Sequence, residues 1–412
     1  MDTKSGWRVG SLFGIPLFLD PSWFFILLFV TVSYGLSWQQ EHWGGGIEWV
    51  AGLVMALLLF GSVLLHELGH SLIALSQGIS VNSITLFLFG GIASIDQESK
   101  TPEQAFQVAI AGPAVSFGLF LVFTLVYQLL PLSAPVIAIA ERLAWVNLVL
   151  AVFNMIPGLP LDGGQVLKAV VWKATGNRIK GVRWASRAGI ALGWLAIALG
   201  LFFYFTNYRF VFLWVALLGW FGLRNATAYN RVTDLQEALL SLKAVDVMTR
   251  NFRVVDADAT LRQFADQYIL ENSHVPFYFA ASDGRYRGLV SLEDLRQTER
   301  SRWDLVTLRA IAHPLSDIPS VEESTPLPNV ITALETEQLR HITVLSPAGA
   351  VAGVLDRGDI VRAVGQKLNI PISDAMIRRI KDEGVYPPGL ELPAIAKGLV
   401  PATRPDLQPS NS

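Results

Sequence analysis

The stretch His66-Glu67-Leu68-Gly69-His70 sets two imidazoles four residues apart with a carboxylate beside them. On a helix, positions i and i+4 share a face, so both rings can address one metal ion. Glu67 can then act as general base toward a water that the metal activates. An amphipathic helix end could carry the same two histidines with no such role. The surroundings argue for the metal, because Trp49 to Leu65, leading into the motif, is apolar and uncharged. Ionisable groups inside a membrane span are costly, about 2.5–3.5 kcal/mol for a central Asp, Lys or Arg. A bound zinc ion offsets that cost, at roughly 10–16 kcal/mol in small structural sites.

A catalytic zinc takes three protein ligands and keeps one position open. The chain has no cysteine, so the set must be His and carboxylate, and the redox compartment is unreadable. Of the six histidines, 42, 66, 70, 274, 313 and 341, none but His66 and His70 can serve at the depth of the motif. Asp162, in Asn154-Met-Ile-Pro157-Gly-Leu-Pro160-Leu-Asp162-Gly163-Gly164, is the candidate third ligand. The prolines and glycines break the helix there, and irregular backbone at membrane depth survives only where protein buries it or it lines a cavity.

The elements that must hold these residues are membrane helices. The sequence is 52% hydrophobic and only 16% charged, against about a quarter charged in soluble proteins. Its mean hydropathy is +0.42. A net charge of −2 gives no argument for nucleic acid. No signal-peptide pattern opens the chain, so the first span is expected to be retained. Apolar runs predict six spans, at about 15–38, 47–75, 104–130, 135–156, 188–205 and a short one at 210–223. Asp20-Pro21 interrupts the start of the first, and Arg209 and Arg224 flank the last. Lys173, Arg178, Lys180, Arg183 and Arg187 fall between spans four and five, and Arg224 and Arg231 follow span six. By the positive-inside rule both termini are cytoplasmic. That puts His66, His70 and Asp162, at the end of span four, at one depth. Between spans two and three, Leu86 to Ile95 is too short to span, and its alternation and Gly90-Gly91 predict a hairpin.

From about Leu239 the pattern becomes soluble α/β, with one internal repeat, each unit read as a helix, two strands and a helix. The first contains Gly288-Leu-Val-Ser291-Leu-Glu-Asp294, the second Gly353-Val-Leu-Asp356-Arg-Gly-Asp359. The expected division is 1–238 for the membrane part, 239–370 for the repeat pair, and 371–412 for an amphipathic helix (372–383) followed by a disordered, Pro-rich tail from Tyr386.

His66-Glu67-x-x-His70 followed by Asn154-x-x-Pro157-x-x-Pro160-Leu161-Asp162-Gly163-Gly164 resembles the site-2 protease family of intramembrane zinc metalloproteases (peptidase family M50). The repeat pair resembles tandem CBS domains, which one branch of that family carries, so the resemblance covers the whole chain. It implies a polytopic α-helical membrane protein of about six transmembrane helices with a re-entrant β-hairpin, plus a C-terminal cytoplasmic CBS pair. It makes His66, His70 and Asp162 the ligands of one Zn2+ and Glu67 the general base. Asn154 and the hairpin at Gly90 and Gly91 become substrate-binding elements. Gly112-Pro-Ala-Val-Ser116 resembles the family's small-residue motif, in which Ser116 has either a polar role or none beyond helix packing through Gly112.

The function so implied is hydrolysis of peptide bonds within or near transmembrane segments of protein substrates, in a multi-pass protein of a bacterial inner membrane. An exposed strand edge could hold such a substrate extended by β-addition. CBS pairs commonly bind ATP or AMP, and the resemblance points to Ser291, Asp294 and Asp359 as nucleotide contacts. Asp356 stands where Ser or Thr is usual and would repel phosphate. A ligand-free dimerisation module remains the alternative for this half, and a homodimer is expected in either case. His274, His313 and His341 read as ordinary fold residues. The rival for the whole chain is a CBS-gated metal transporter, which would have no need of Glu67.

Overall fold

In the computed structural model the described residues are 6–41, 43–88, 90–96, 98–269, 277–387 and 389–400. His42, His274 and the last twelve residues of the tail lie outside them. The chain divides into two compact units, Met1–Thr233 and Asp234–Ser412.

The first unit opens with a hairpin, β1 (Trp7–Leu12) and β2 (Ile15–Leu19), before helix α1 (Ser22–Trp38). The first span is therefore shorter than its apolar run. The Asp20 carboxylate accepts the Ser22 amide at 2.9 Å, so Asp20-Pro21 starts the helix instead of interrupting it. Next come α2 (Ile47–Ser76), β3 (Val81–Phe87) and β4 (Gly90–Ile95). The four strands form one sheet in the order β1-β2-β3-β4, with β2 and β3 parallel. The predicted hairpin is present, but Gly90 and Gly91 open β4 instead of making the turn, and the hairpin is half of a larger sheet. Ile15, Leu68 and Ile84 seat that sheet on α2.

Helix α3 (Pro102–Leu129) starts on Thr101, whose side chain accepts the Gln104 amide. It is followed by α4 (Ala134–Asn154), α5 (Asp162–Thr175), α6 (Arg178–Asn207) and α7 (Val211–Ser241). Helices α1, α2, α3, α4, α6 and α7 are long and apolar enough to cross a membrane. Three expectations change here. Asp162 is not the end of span four but the first residue of a separate amphipathic helix, α5. Arg178, Lys180, Arg183 and Arg187 belong to α6 and not to a loop, because the N-cap Asn177 starts that helix ten residues before its apolar run. The sixth helix runs 31 residues, continuing past Arg224 on helix-forming polar residues where the apolar stretch stops.

The second unit contains α8 (Ala244–Val247), β5 (Phe252–Asp256), α9 (Leu261–Phe264), β6 (Phe277–Ser282), β7 (Arg285–Val290) and α10 (Leu292–Gln297). The second repeat supplies β8 (Ser320–Glu322), α11 (Leu327–Thr336), β9 (His341–Leu345), β10 (Val351–Asp356) and α12 (Arg357–Lys367). Each repeat has three strands, one more than expected, because β5 and β8 each add a parallel edge to an antiparallel pair. Helices α13 (Asp374–Glu383) and α14 (Leu392–Leu399) close the described chain. The expectation of a disordered tail from Tyr386 fails at Leu392–Leu399, which form α14. Leu392 and Ala396 are fully buried in the same core as Ile331, Leu355 and Ile360.

Candidate metal centre

The two histidines lie one turn apart on α2, both buried, and α5 delivers Asp162 from its first position. His66 Nε2 is 3.1 Å from Asp162 Oδ2, His70 Nε2 is 3.3 Å from it, and the two Nε2 atoms are 3.3 Å apart. Tetrahedral ligands about 2.0–2.1 Å from a zinc ion lie about 3.3–3.4 Å from one another. The triangle therefore matches one zinc with a fourth position left over. Among the described residues this is the one group of three His or acidic ligands close enough for a shared ion.

Both rings are held from behind. His70 Nδ1 donates to the Val108 carbonyl at 2.7 Å, which leaves its Nε2 lone pair toward the triangle. His66 Nδ1 shares a hydrogen bond of 2.9 Å with the Ser116 hydroxyl. Both partners come from α3, whose Gly112 makes the approach possible. A Cβ at 112 would run into His70 Nε2 and sit 2.6 Å from His66 Nε2, filling the space an ion needs. Of the two roles open to the Gly112–Ser116 motif, the structure shows both, packing at Gly112 and a polar contact at Ser116. The carbonyl of Val108 carries no signature in a sequence. Ser116 does, being four residues after Gly112 and so on its face.

Glu67 is half-buried on the same turn of α2. Strand β4 lies directly against it, and a Cβ on Gly91 would come 2.5 Å from Glu67 Cγ. Among the described residues β4 is a sheet edge. Asn154 is half-buried at the C-terminus of α4, ahead of the bend that leads into α5. Gly163 and Gly164 are buried within the first turn of α5.

Both parts of the chain match known families. The family model for peptidase family M50 matches residues 54–141 and 131–196. The model for the CBS domain matches 244–300 and 308–366. A Synechocystis protein provisionally named a zinc metalloprotease is 44% identical over 87% of this chain and 95% of its own. The chain belongs to the site-2 protease family. Within it, a Mycobacterium tuberculosis protein, also provisionally named a zinc metalloprotease, is 32% identical over 83% of this chain and 89% of its own. The solved site-2 protease of Methanocaldococcus jannaschii is 30% identical with a TM-score of 0.40, covering 55% of this chain and 95% of that one. The protein is an integral membrane zinc metalloprotease with a C-terminal CBS pair.

In the CBS pair the residues singled out as nucleotide contacts already have partners. Ser291 caps α10 by accepting the Glu293 amide, and Asp294 Oδ2 is 2.7 Å from His313 Nε2. Asp359, nearly fully buried, shares a capping box with Asp356 on α12. Lys381 of α13 donates to both, at 2.7 Å to Asp359 and 2.9 Å to Asp356. His313 and His341 are thus not alike, since His313 holds an acid while the His341 ring packs 4.6 Å from that of Phe277.

Proposed function

We propose that His66, His70 and Asp162 hold one zinc ion and that Glu67 is the general base for hydrolysis of peptide bonds in transmembrane segments of other proteins. The observation that carries this reading is the Nε2–Nε2–Oδ2 triangle, with edges of 3.1–3.3 Å, on the turn of α2 that also carries Glu67. A zinc ion bound there supplies Lewis acidity, for the scissile carbonyl and for the attacking water. Glu67 takes the proton from that water and returns it to the leaving amine. Ser116 and the Val108 carbonyl keep the two imidazoles aimed throughout. Asn154 contributes a hydrogen bond to substrate, and the edge of β4 at Gly90 and Gly91 receives the substrate as an added strand. Such pairing exposes a peptide bond that a helical segment keeps shielded.

The charge distribution supports cytoplasmic termini, with Arg178, Lys180, Arg183 and Arg187 all in the first turns of α6. A bacterial inner membrane and a homodimer joined through the CBS pair complete the proposal. An adenine nucleotide would enter the first CBS unit at Ser291 and Asp294, with the Asp294 carboxylate leaving His313 for ribose hydroxyls. Asp359 would take part only after Lys381 had moved.

The test is cleavage of a single-span substrate in membranes by the parent chain and by Glu67→Gln, with bound zinc measured in both. Loss of activity by about 10²–10⁴-fold with zinc retained is expected. Zinc passing the membrane equally in both, with no substrate of a panel cut, would replace the protease reading with transport.

A further inference from the structure

Helix α5 begins at Asp162 and carries Lys168 six residues later, about 9 Å along its axis. Lys168 is largely enclosed, with 12% of its side chain exposed, and its Nζ lies 3.9 Å from Glu98 Oε2. Burial holds its ammonium below the ordinary lysine range, and Glu98 opposes that shift. The same Glu98 oxygen accepts from Arg178 Nη1 of α6 at 2.7 Å. One further ion pair ties α5 to the start of α3, Lys173 Nζ to Glu103 Oε1 at 3.1 Å.

Glu98 stands just beyond β4, the strand whose Gly91 rests against Glu67. The strand is thus anchored at its start by α2, which carries the two histidines and Glu67. Three residues past its far end, Glu98 pairs with Lys168 of α5, the helix that carries Asp162, and with Arg178 of α6. Neither Lys168 nor Arg178 touches the metal triangle, so the metal centre gives no account of why a lysine is enclosed there.

We infer that Glu98, held by Arg178 and Lys168, is a positioning residue that fixes the register in which a substrate strand pairs with β4, and so selects which peptide bond reaches Glu67. This rests on the reading of β4 as the substrate-receiving edge. Strand pairing slips most easily by two residues, because a slip of two keeps each side chain on its own face. With the far end of β4 released, adjacent registers become accessible and cleavage spreads to bonds two residues from the original one.

The experiment uses the full-length chain in membranes with a single-span substrate and maps the products by mass. The chain has no cysteine, so spin labels on Ile92→Cys in β4 and Ala174→Cys in α5 report the distance between the two elements directly. Glu98→Gln is expected to broaden that distance, add cleavage sites two residues apart and raise KM roughly fivefold, the scale of a half-exposed ion pair, with kcat near the parent value. Glu98→Asp, which keeps the charge, is expected to restore a single site. A single unchanged cleavage site in Glu98→Gln overturns the inference, and so does an unchanged distance distribution. Should the parent cut no substrate, the protease reading falls while the label distances still report on the Glu98 anchor.

Discussion

The Ser116 hydroxyl lies 2.9 Å from His66 Nδ1, and Ser116 is completely buried between α3 and α2. That hydrogen bond fixes the ring so that Nε2 points at the triangle. Removing such an outer partner typically costs 10–100-fold in metal affinity. Ser116→Ala should therefore weaken zinc binding by about that factor, as read by competition with a chelator, while helix content stays unchanged. Ser116→Asn, which can still accept from Nδ1–H, should lose less.

Gly112 makes a sharper prediction, because its missing side chain is the space in front of both Nε2 atoms. Gly112→Ala should purify without stoichiometric zinc and without proteolytic activity. Ala propensity favours the helix itself by about 1 kcal/mol over Gly, so thermal unfolding of the membrane part should not fall in proportion. Zinc content by atomic absorption, set beside the melting curve, checks both halves of the expectation.

His341 gives the second unit a pH dependence. Its ring is largely enclosed against Phe277, and burial holds its pKa below the ordinary value of about 6.5, with Asp356 opposing. Below pH 6.5 the unfolded chain binds a proton that the folded chain still refuses. Stability is therefore full above pH 6.5 and declines as pH falls toward the depressed folded value. Protection factors of the β9 amides of the full chain, taken relative to the intrinsic exchange rate at each pH, should fall over that interval, and His341→Phe should flatten the dependence.

The clustering of His66, His70 and Asp162 was legible because these residues sit in short, fixed spacings. Two histidines at i and i+4 share a face, and a Pro- and Gly-broken segment with one carboxylate is conspicuous after an apolar run. The supports were less visible. Val108 acts through a backbone carbonyl, and Lys168 looks like any basic residue of a loop until α5 forms around it. The β1–β2 hairpin hid for a different reason, since the apolar Ile15–Leu19 runs straight on toward α1 and a window of hydropathy cannot separate strand from helix. Polarity misled in the opposite direction at the C-terminus. Prolines and charges between Tyr386 and Leu399 mask Leu392 and Ala396, which are spaced one turn apart and fully buried. In the repeats, β5 and β8 were missed because they are short and carry charges on exposed positions.

The ligand triangle contains two nitrogens and one oxygen, in a chain with no sulfur other than methionine. Intrinsic affinity alone does not single out zinc for such a set, so geometry and metal supply decide which first-row divalent ion it carries. Cobalt(II) in place of zinc would then be a colour reporter. With no thiolate anywhere in the protein, no sulfur charge-transfer band would overlie the d–d bands of that form, and their intensity would read the coordination number, the fourth position included.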